Sequence, residues 1–229
     1  MKKAIAIFMA VIVCCCCMSM SAFAQEEKPE ASKPASPQMS ALMTASSLAK
    51  YGYANSSPTA LIEAARIFSS IQVQDSNVEK KSENKDVSAV KETKVSFDPA
   101  KLLADAREYA GKDKTILALV KSVESELSDG TSRGAVGGPC YTKDRVLAKD
   151  YSDYAVKFWA NELAEVCLSG DGDTDLDLYV YDSNGNLIGS DTDYTDDCVV
   201  RWVPAWTGTF VIRVVNRGMV YNNFVVWTN

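Results

Sequence analysis

Residues 170–193 read GDGDTDLDLYVYDSNGNLIGSDTD. Within them, 175–182 (DLDLYVYD) alternates polar and apolar residues strictly, the period-two pattern of a strand with one buried face. Leu176, Leu178 and Val180 share one face, and Asp175 and Asp177 share the other. Ser183-Asn184-Gly185-Asn186 then supplies a tight hairpin turn. Outward from this hairpin, residues 154–159, 163–168, 199–203, 209–215 and 223–227 read as further short strands, with turns at 204–208 and 216–218. Six strands with no helix among them predict an antiparallel β-sandwich, jelly-roll-like, over residues 140–229.

Upstream the period changes. Ala41, Leu42, Ala45, Leu48 and Ala49 recur at helical spacing, with Gly52 read as a helix stop. Ser57-Pro58 is an N-cap followed by a first-turn proline, opening a helix whose apolar stripe is Leu61, Ala64, Ala65, Phe68 and Ile71. Asp98-Pro99 repeats that signal for a third helix ending at Gly111, and a fourth runs over 113–127. Residues 73–95 are highly charged and poor in large apolar groups, and predict a flexible tether. The fold class expected is α+β by segregated domains, a small α-helical hairpin or bundle over 39–128 followed by the sandwich. Gly130, Gly134, Gly137 and Gly138 mark 129–139 as a linker between them.

The N-terminus carries Lys2 and Lys3, an apolar run over residues 4–13, and Ala22-Phe23-Ala24 before Gln25, the pattern of a signal peptide spanning 1–24. Residues 25–38, with Pro29, Pro34 and Pro37, read as an exported linker. Cys14 to Cys17 lie in the leader and raise lipidation as an alternative, though bulky Val13 precedes them. The protein is therefore expected to be exported, to the periplasm, the cell surface or the medium, without a membrane span. Without the two leader lysines the 24 basic residues become 22, against 30 acidic ones, a net charge of −8 that disfavours nucleic acid and anionic membranes. Histidine is absent, which removes the commonest general base, the triads built on it and most zinc sites. Ser47-Leu48-Ala49-Lys50 and Ser82-Glu83-Asn84-Lys85 have serine-lysine spacing without partner motifs and read as coincidence. The chain is expected not to be an enzyme.

The 170–193 stretch, together with RWVPAWTGTFVIRVVN (201–216) and NNFVVWTN (222–229), resembles the bacterial pre-peptidase C-terminal domain. That family is a β-sandwich commonly appended to secreted proteases, serving folding, secretion or contact with substrate and matrix, and related domains bind calcium. The resemblance implies an accessory interaction module here, with an extracellular or envelope protein or polysaccharide as partner, although no peptidase precedes it. Asp171, Asp173, Asp175 and Asp177 at every second position, with Asp191, Asp193, Asp196 and Asp197 in the next acidic loop, could supply the oxygen ligands of Ca2+. The expected ligands are Asp173, Asp175, Asp177 and Asp197. Trp159, Trp202, Trp206 and Trp227, with Tyr179 and Tyr181, are either a sugar- or peptide-binding platform or core packing. Of the three cysteines beyond the leader, Cys167 and Cys198 are expected to form a disulfide, leaving Cys140 as a free thiol or an intermolecular link.

Overall fold

The computed structural model describes residues 34–76, 78, 80–82, 95–129 and 139–229. The expected signal peptide, residues 25–33 of the expected 25–38 linker, most of the 73–95 tether and nearly all of the glycine-rich joint lie outside the described residues, and the last two linker residues, Pro37 and Gln38, are the first turn of a helix because proline is well suited to a helix start. Four helices come first: α1 (Pro37–Ala54), α2 (Pro58–Ser70), α3 (Pro99–Ala110) and α4 (Lys114–Asp129). Between α2 and α3 lie two short strands, β1 (Gln74–Asp75) and β2 (Lys80–Ser82). Then follow β3 (Cys140–Val146), β4 (Tyr151–Phe158), β5 (Ala164–Gly170), β6 (Leu176–Tyr181), β7 (Leu187–Asp191), β8 (Asp197–Trp202), β9 (Gly208–Asn216) and β10 (Asn222–Thr228).

The helix starts follow the expected capping chemistry. The Ser57 hydroxyl accepts from Ala60 N, and Asp98 Oδ1 accepts from Ala100 N at 2.8 Å and Lys101 N at 3.3 Å. Asp113 Oδ1 does the same for Thr115 N at 2.8 Å, satisfying donors that the first helical turn leaves open. Gly111 has a positive φ of 55° and ends α3. Gly52 does not end α1. It lies within the helix, and a Cβ there would fall 2.4 Å from Leu61 Cδ2, so it is the point where α2 packs directly on the α1 backbone.

The strands form two sheets, one ordered β1-β3-β10-β5-β8 and the other β2-β4-β9-β6-β7. All pairings are antiparallel except β1 with β3. Their facing sides bury Tyr154, Val166, Leu168, Leu176, Leu178, Val180, Phe210, Ile212 and Val214, so the alternation of DLDLYVYD places its apolar positions inside as expected. The chain is thus a set of helices followed by an antiparallel β-sandwich. Part of the predicted tether departs from its reading. Residues 74–75 pair with β3 and residues 80–82 with β4, extending one edge of each sheet.

The helices cover the outer face of the first sheet. Leu42, Ala49, Leu61, Phe68, Leu102 and Val120 share one apolar cluster with Cys167, Val225 and Trp227. Phe68 stacks on Trp227 at 6.0 Å between ring centroids, and Phe97 meets the same indole edge-on at 6.3 Å. Helix α1 lies against β5. Near its start, Ser36 N donates to Glu165 Oε2 at 2.9 Å, and near its end Lys50 reaches Asp196 and Asp197. Glu165 is fully buried and paired with Arg201 at 2.6 Å.

Candidate functional site

Three places carry the residues singled out from the sequence: the acidic end of the sandwich, the two inner thiols, and the outer face of the second sheet.

At the acidic end, loops 171–175 and 191–197 meet, with Gly170 N donating to Asp196 O at 2.8 Å and Leu176 N to Thr195 O at 3.1 Å. The four aspartates expected to hold calcium do not form one ligand set. Asp177 lies under Arg217, whose Nε donates to Oδ2 at 2.5 Å, and it also accepts from Tyr179 OH at 3.0 Å. Asp197 Oδ1 accepts from Lys50 Nζ at 2.7 Å and from Ser169 Oγ at 2.5 Å. Asp175 has one carboxylate oxygen buried without a hydrogen-bond partner. Burial, then the charge of Asp177, raises its pKa. Asp173 N donates to Asp171 Oδ1 at 3.3 Å, while Asp171 Oδ2 accepts from Asn223 N and Nδ2, each at 3.0 Å. Among the described residues no three Asp, Glu or Cys side chains are grouped to hold a metal ion. Two of the four expected ligands are committed to protein cations, so the donor set as folded does not fit calcium. Lys50 and Arg217 were not among the site residues expected from the sequence. Lys50 belonged to the serine-lysine coincidence, whose Ser47 Oγ donates to Met43 O at 3.0 Å and faces no lysine chemistry.

The expected Cys167–Cys198 disulfide is corrected. Among the described residues Cys140, Cys167 and Cys198 are all free, and the last two stand on neighbouring strands in diagonal positions, Cys167 opposite Val199 and Leu168 opposite Cys198. Alternation therefore points Cys167 toward the helices and Cys198 into the sandwich interior, where its Sγ donates to Leu176 O at 3.1 Å. Thiols on opposite faces of one sheet cannot bond without a register shift.

The aromatic residues divide. Trp227 is 3% exposed, and Trp202 packs edge-on against Phe158 at 4.8 Å, so both are packing residues. Trp159 and Trp206 are 59% and 43% exposed at the end of the sandwich opposite the acidic loops. Tyr179 and Tyr181 stack at 6.2 Å on the outer face of the second sheet. There the register sets Asp153 and Tyr179 on either side of Arg213, and Val211 beside Tyr181. The Arg213 guanidinium forks onto Asp153, Nε to Oδ1 and Nη2 to Oδ2 both at 2.7 Å, and lies 4.1 Å from the Tyr151 ring centroid and 5.5 Å from that of Tyr181. The hydrogen bond to Asp153 leads in raising the Arg213 pKa, so the fork stays charged. A depression of about 360 Å3 beside this pair is lined by Tyr181, Asp182, Ser183, Gly185 and Val211. Arg213 and Asp153 carried no distinguishing pattern in the sequence, because only strand register brings them together.

Neither a protein-family model nor a curated protein matches the chain. Solved structures do. The pre-peptidase C-terminal domain of a Bacillus anthracis collagenase aligns over 39% of this chain and 87% of its own, at 7% identity and a TM-score of 0.33. The Yersinia pseudotuberculosis-derived mitogen aligns over 40% and 84%, at 10% identity and a TM-score of 0.33. A periplasmic inhibitor of g-type lysozyme from Aeromonas hydrophila aligns over 42% and 92%, at 16% identity and a TM-score of 0.32. The family resembled by the 170–193 stretch is thus represented among the structures to which this chain is similar.

Proposed function

We propose that this chain is an exported, non-enzymatic binding protein whose open sheet face holds a segment of polysaccharide. The observation that carries the reading is the Asp153–Arg213 fork with Tyr151 and Tyr181 beside it, next to the 360 Å3 depression. A sugar ring offers an apolar C–H face and pairs of neighbouring hydroxyls. Tyrosine rings match the first, and a paired guanidinium and carboxylate, with Ser183 beside them in the lining, match the second. A volume of this size lies at the low end of the roughly 300–1,000 Å3 typical of ligand sites, suited to one or two rings of a longer chain. The helices cover the other sheet, so this is the face left for a ligand. Export is supported by the leader-like residues 1–24, and the absence of histidine agrees with binding rather than acid-base turnover.

The test is retention on insoluble polysaccharides and in affinity gels, with the intact chain against Tyr181→Ala and Arg213→Gln. Both variants should weaken retention by about ten-fold or more while melting within a few degrees of the parent. Retention unchanged in both variants would remove this face as the site. Retention on a protein partner alone would replace the polysaccharide by a protein.

A further inference from the structure

The helices that cover the first sheet do not fill all the space beneath them, and what remains is a recess for a small molecule rather than a face for a polymer. The outer side of that sheet grades along its strands. Pairing of β3 with β10 sets Tyr141 opposite Trp227, Lys143 opposite Val225 and Arg145 opposite Asn223. An aromatic, a mixed and a polar pair thus follow one another over about 13 Å of strand. Above the aromatic end lies a recess of about 210 Å3, walled by Phe68, Phe97, Tyr141, Val225 and Trp227 and reached by Lys143 and Asp98. Phe97, Asp98 and Lys143 also line a wider depression of about 480 Å3 that continues to Arg145 and Asn223. An apolar cavity of roughly 150 Å3 is enough to take up benzene, so the recess has room for one ring or a short acyl chain.

The charges around the wider depression are unevenly committed. Asp144 accepts from Lys80 Nζ at 2.9 Å and from Tyr154 OH at 2.7 Å. Asp98 caps α3 and stands at the positive end of that helix. Among the described residues no carboxylate forms an ion pair with Lys143 or Arg145. The Lys143 ammonium lies 5.6 Å from the Tyr141 ring centroid, while Arg145 donates its Nε to Asn223 Oδ1 at 2.9 Å and lies 4.1 Å from the Tyr221 ring centroid. Two cations at the polar end and an aromatic recess at the other are complementary to a molecule with an apolar tail and an acidic head.

We propose that this recess binds a small amphipathic anion, with its ring or acyl chain against Phe97 and Trp227 and its acid group on Lys143 and Arg145. The walls come from α2, from the residues that lead into α3 and from the sheet, so a bound ligand also holds helices and sandwich together. The site lies on the other sheet from the tyrosine face and is independent of what that face binds.

The experiment is calorimetric titration and thermal unfolding of the intact chain with decanoate, below micelle-forming concentrations, set against acetate and decyltrimethylammonium. The parent should bind one decanoate per chain and melt roughly 5–10 °C higher when decanoate is about a hundred-fold above its Kd. Acetate should give no response, because the head group alone leaves the recess empty, and the cationic homologue should bind at least about ten-fold more weakly. Lys143 and Arg145 are exposed, so Lys143→Gln/Arg145→Gln should melt within a few degrees of the parent without ligand and bind decanoate about ten-fold more weakly or worse. Tyr181→Ala should bind decanoate as the parent does. The proposal is overturned if the parent shows no saturable decanoate binding or binds the cationic homologue equally well. It is also overturned if the double variant keeps the parent's affinity, or if Tyr181→Ala loses it, which would place decanoate on the tyrosine face. Should the double variant fail to fold, the comparison of anion with cation in the parent decides.

Discussion

Cys167 and Cys198 are enclosed on opposite faces of β5 and β8, and their thiols respond to that enclosure. Burial, reinforced by the Glu165 charge, pushes Cys167 up to about 12, and burial with the nearby aspartates pushes Cys198 up as well. The thiolate is the reactive form, so both should be inert at neutral pH. Titration of the folded chain, freed of its first 24 residues, with a thiol reagent should modify Cys140 alone. Denaturant should release two further equivalents. Two thiols missing in denaturant without reductant would restore the disulfide that the sheet geometry excludes. Nothing in the spacing of the cysteines distinguishes a pair on one face from a pair on two, because that depends on strand register.

The helices show where a local signal yields to packing. Ser57, Asp98 and Asp113 were legible as caps because capping is settled within three residues. Gly52 was misread as a stop because a helix interior that needs a glycine for close approach looks the same in sequence as one that ends there. The structure gives it a different consequence. Gly52→Ala gains about 1 kcal/mol of helix propensity, but it drives a methyl into Leu61, whose side chain is fully buried and whose backbone nitrogen is 3.2 Å from that Cβ. With overpacking costing roughly 1–3 kcal/mol, the net expectation is a loss of about 1 kcal/mol. It should be read as a lower urea midpoint at unchanged m-value. A midpoint higher than the parent's would mean that α2 can move away at no cost. Strand β3 escaped notice for a related reason. Its sequence CYTKDRV has few apolar residues, and its place between β1 and β10 comes from backbone pairing.

Across the whole molecule, helices and sandwich share a core through Trp227, Val225 and Cys167, and ion pairs from Lys50 add to that joint. All four tryptophans belong to the sandwich, whereas the helical circular dichroism arises from α1 to α4. The two signals should therefore change together on urea unfolding, as one cooperative transition. Separate midpoints would mean that the helices are a detachable layer. By itself the sequence determined the helices and their caps, six strands of the sandwich, which side of the DLDLYVYD strand faces inward, and the acidic net charge. Each of these follows from periodicity or chemistry within a few residues. Only the tertiary structure decided that the helices close over one sheet, that Lys50 and Arg217 hold the acidic loops, and that Arg213 lies between Asp153 and three tyrosines. Those arrangements join residues far apart in the chain through register and docking, which short-range pattern does not encode.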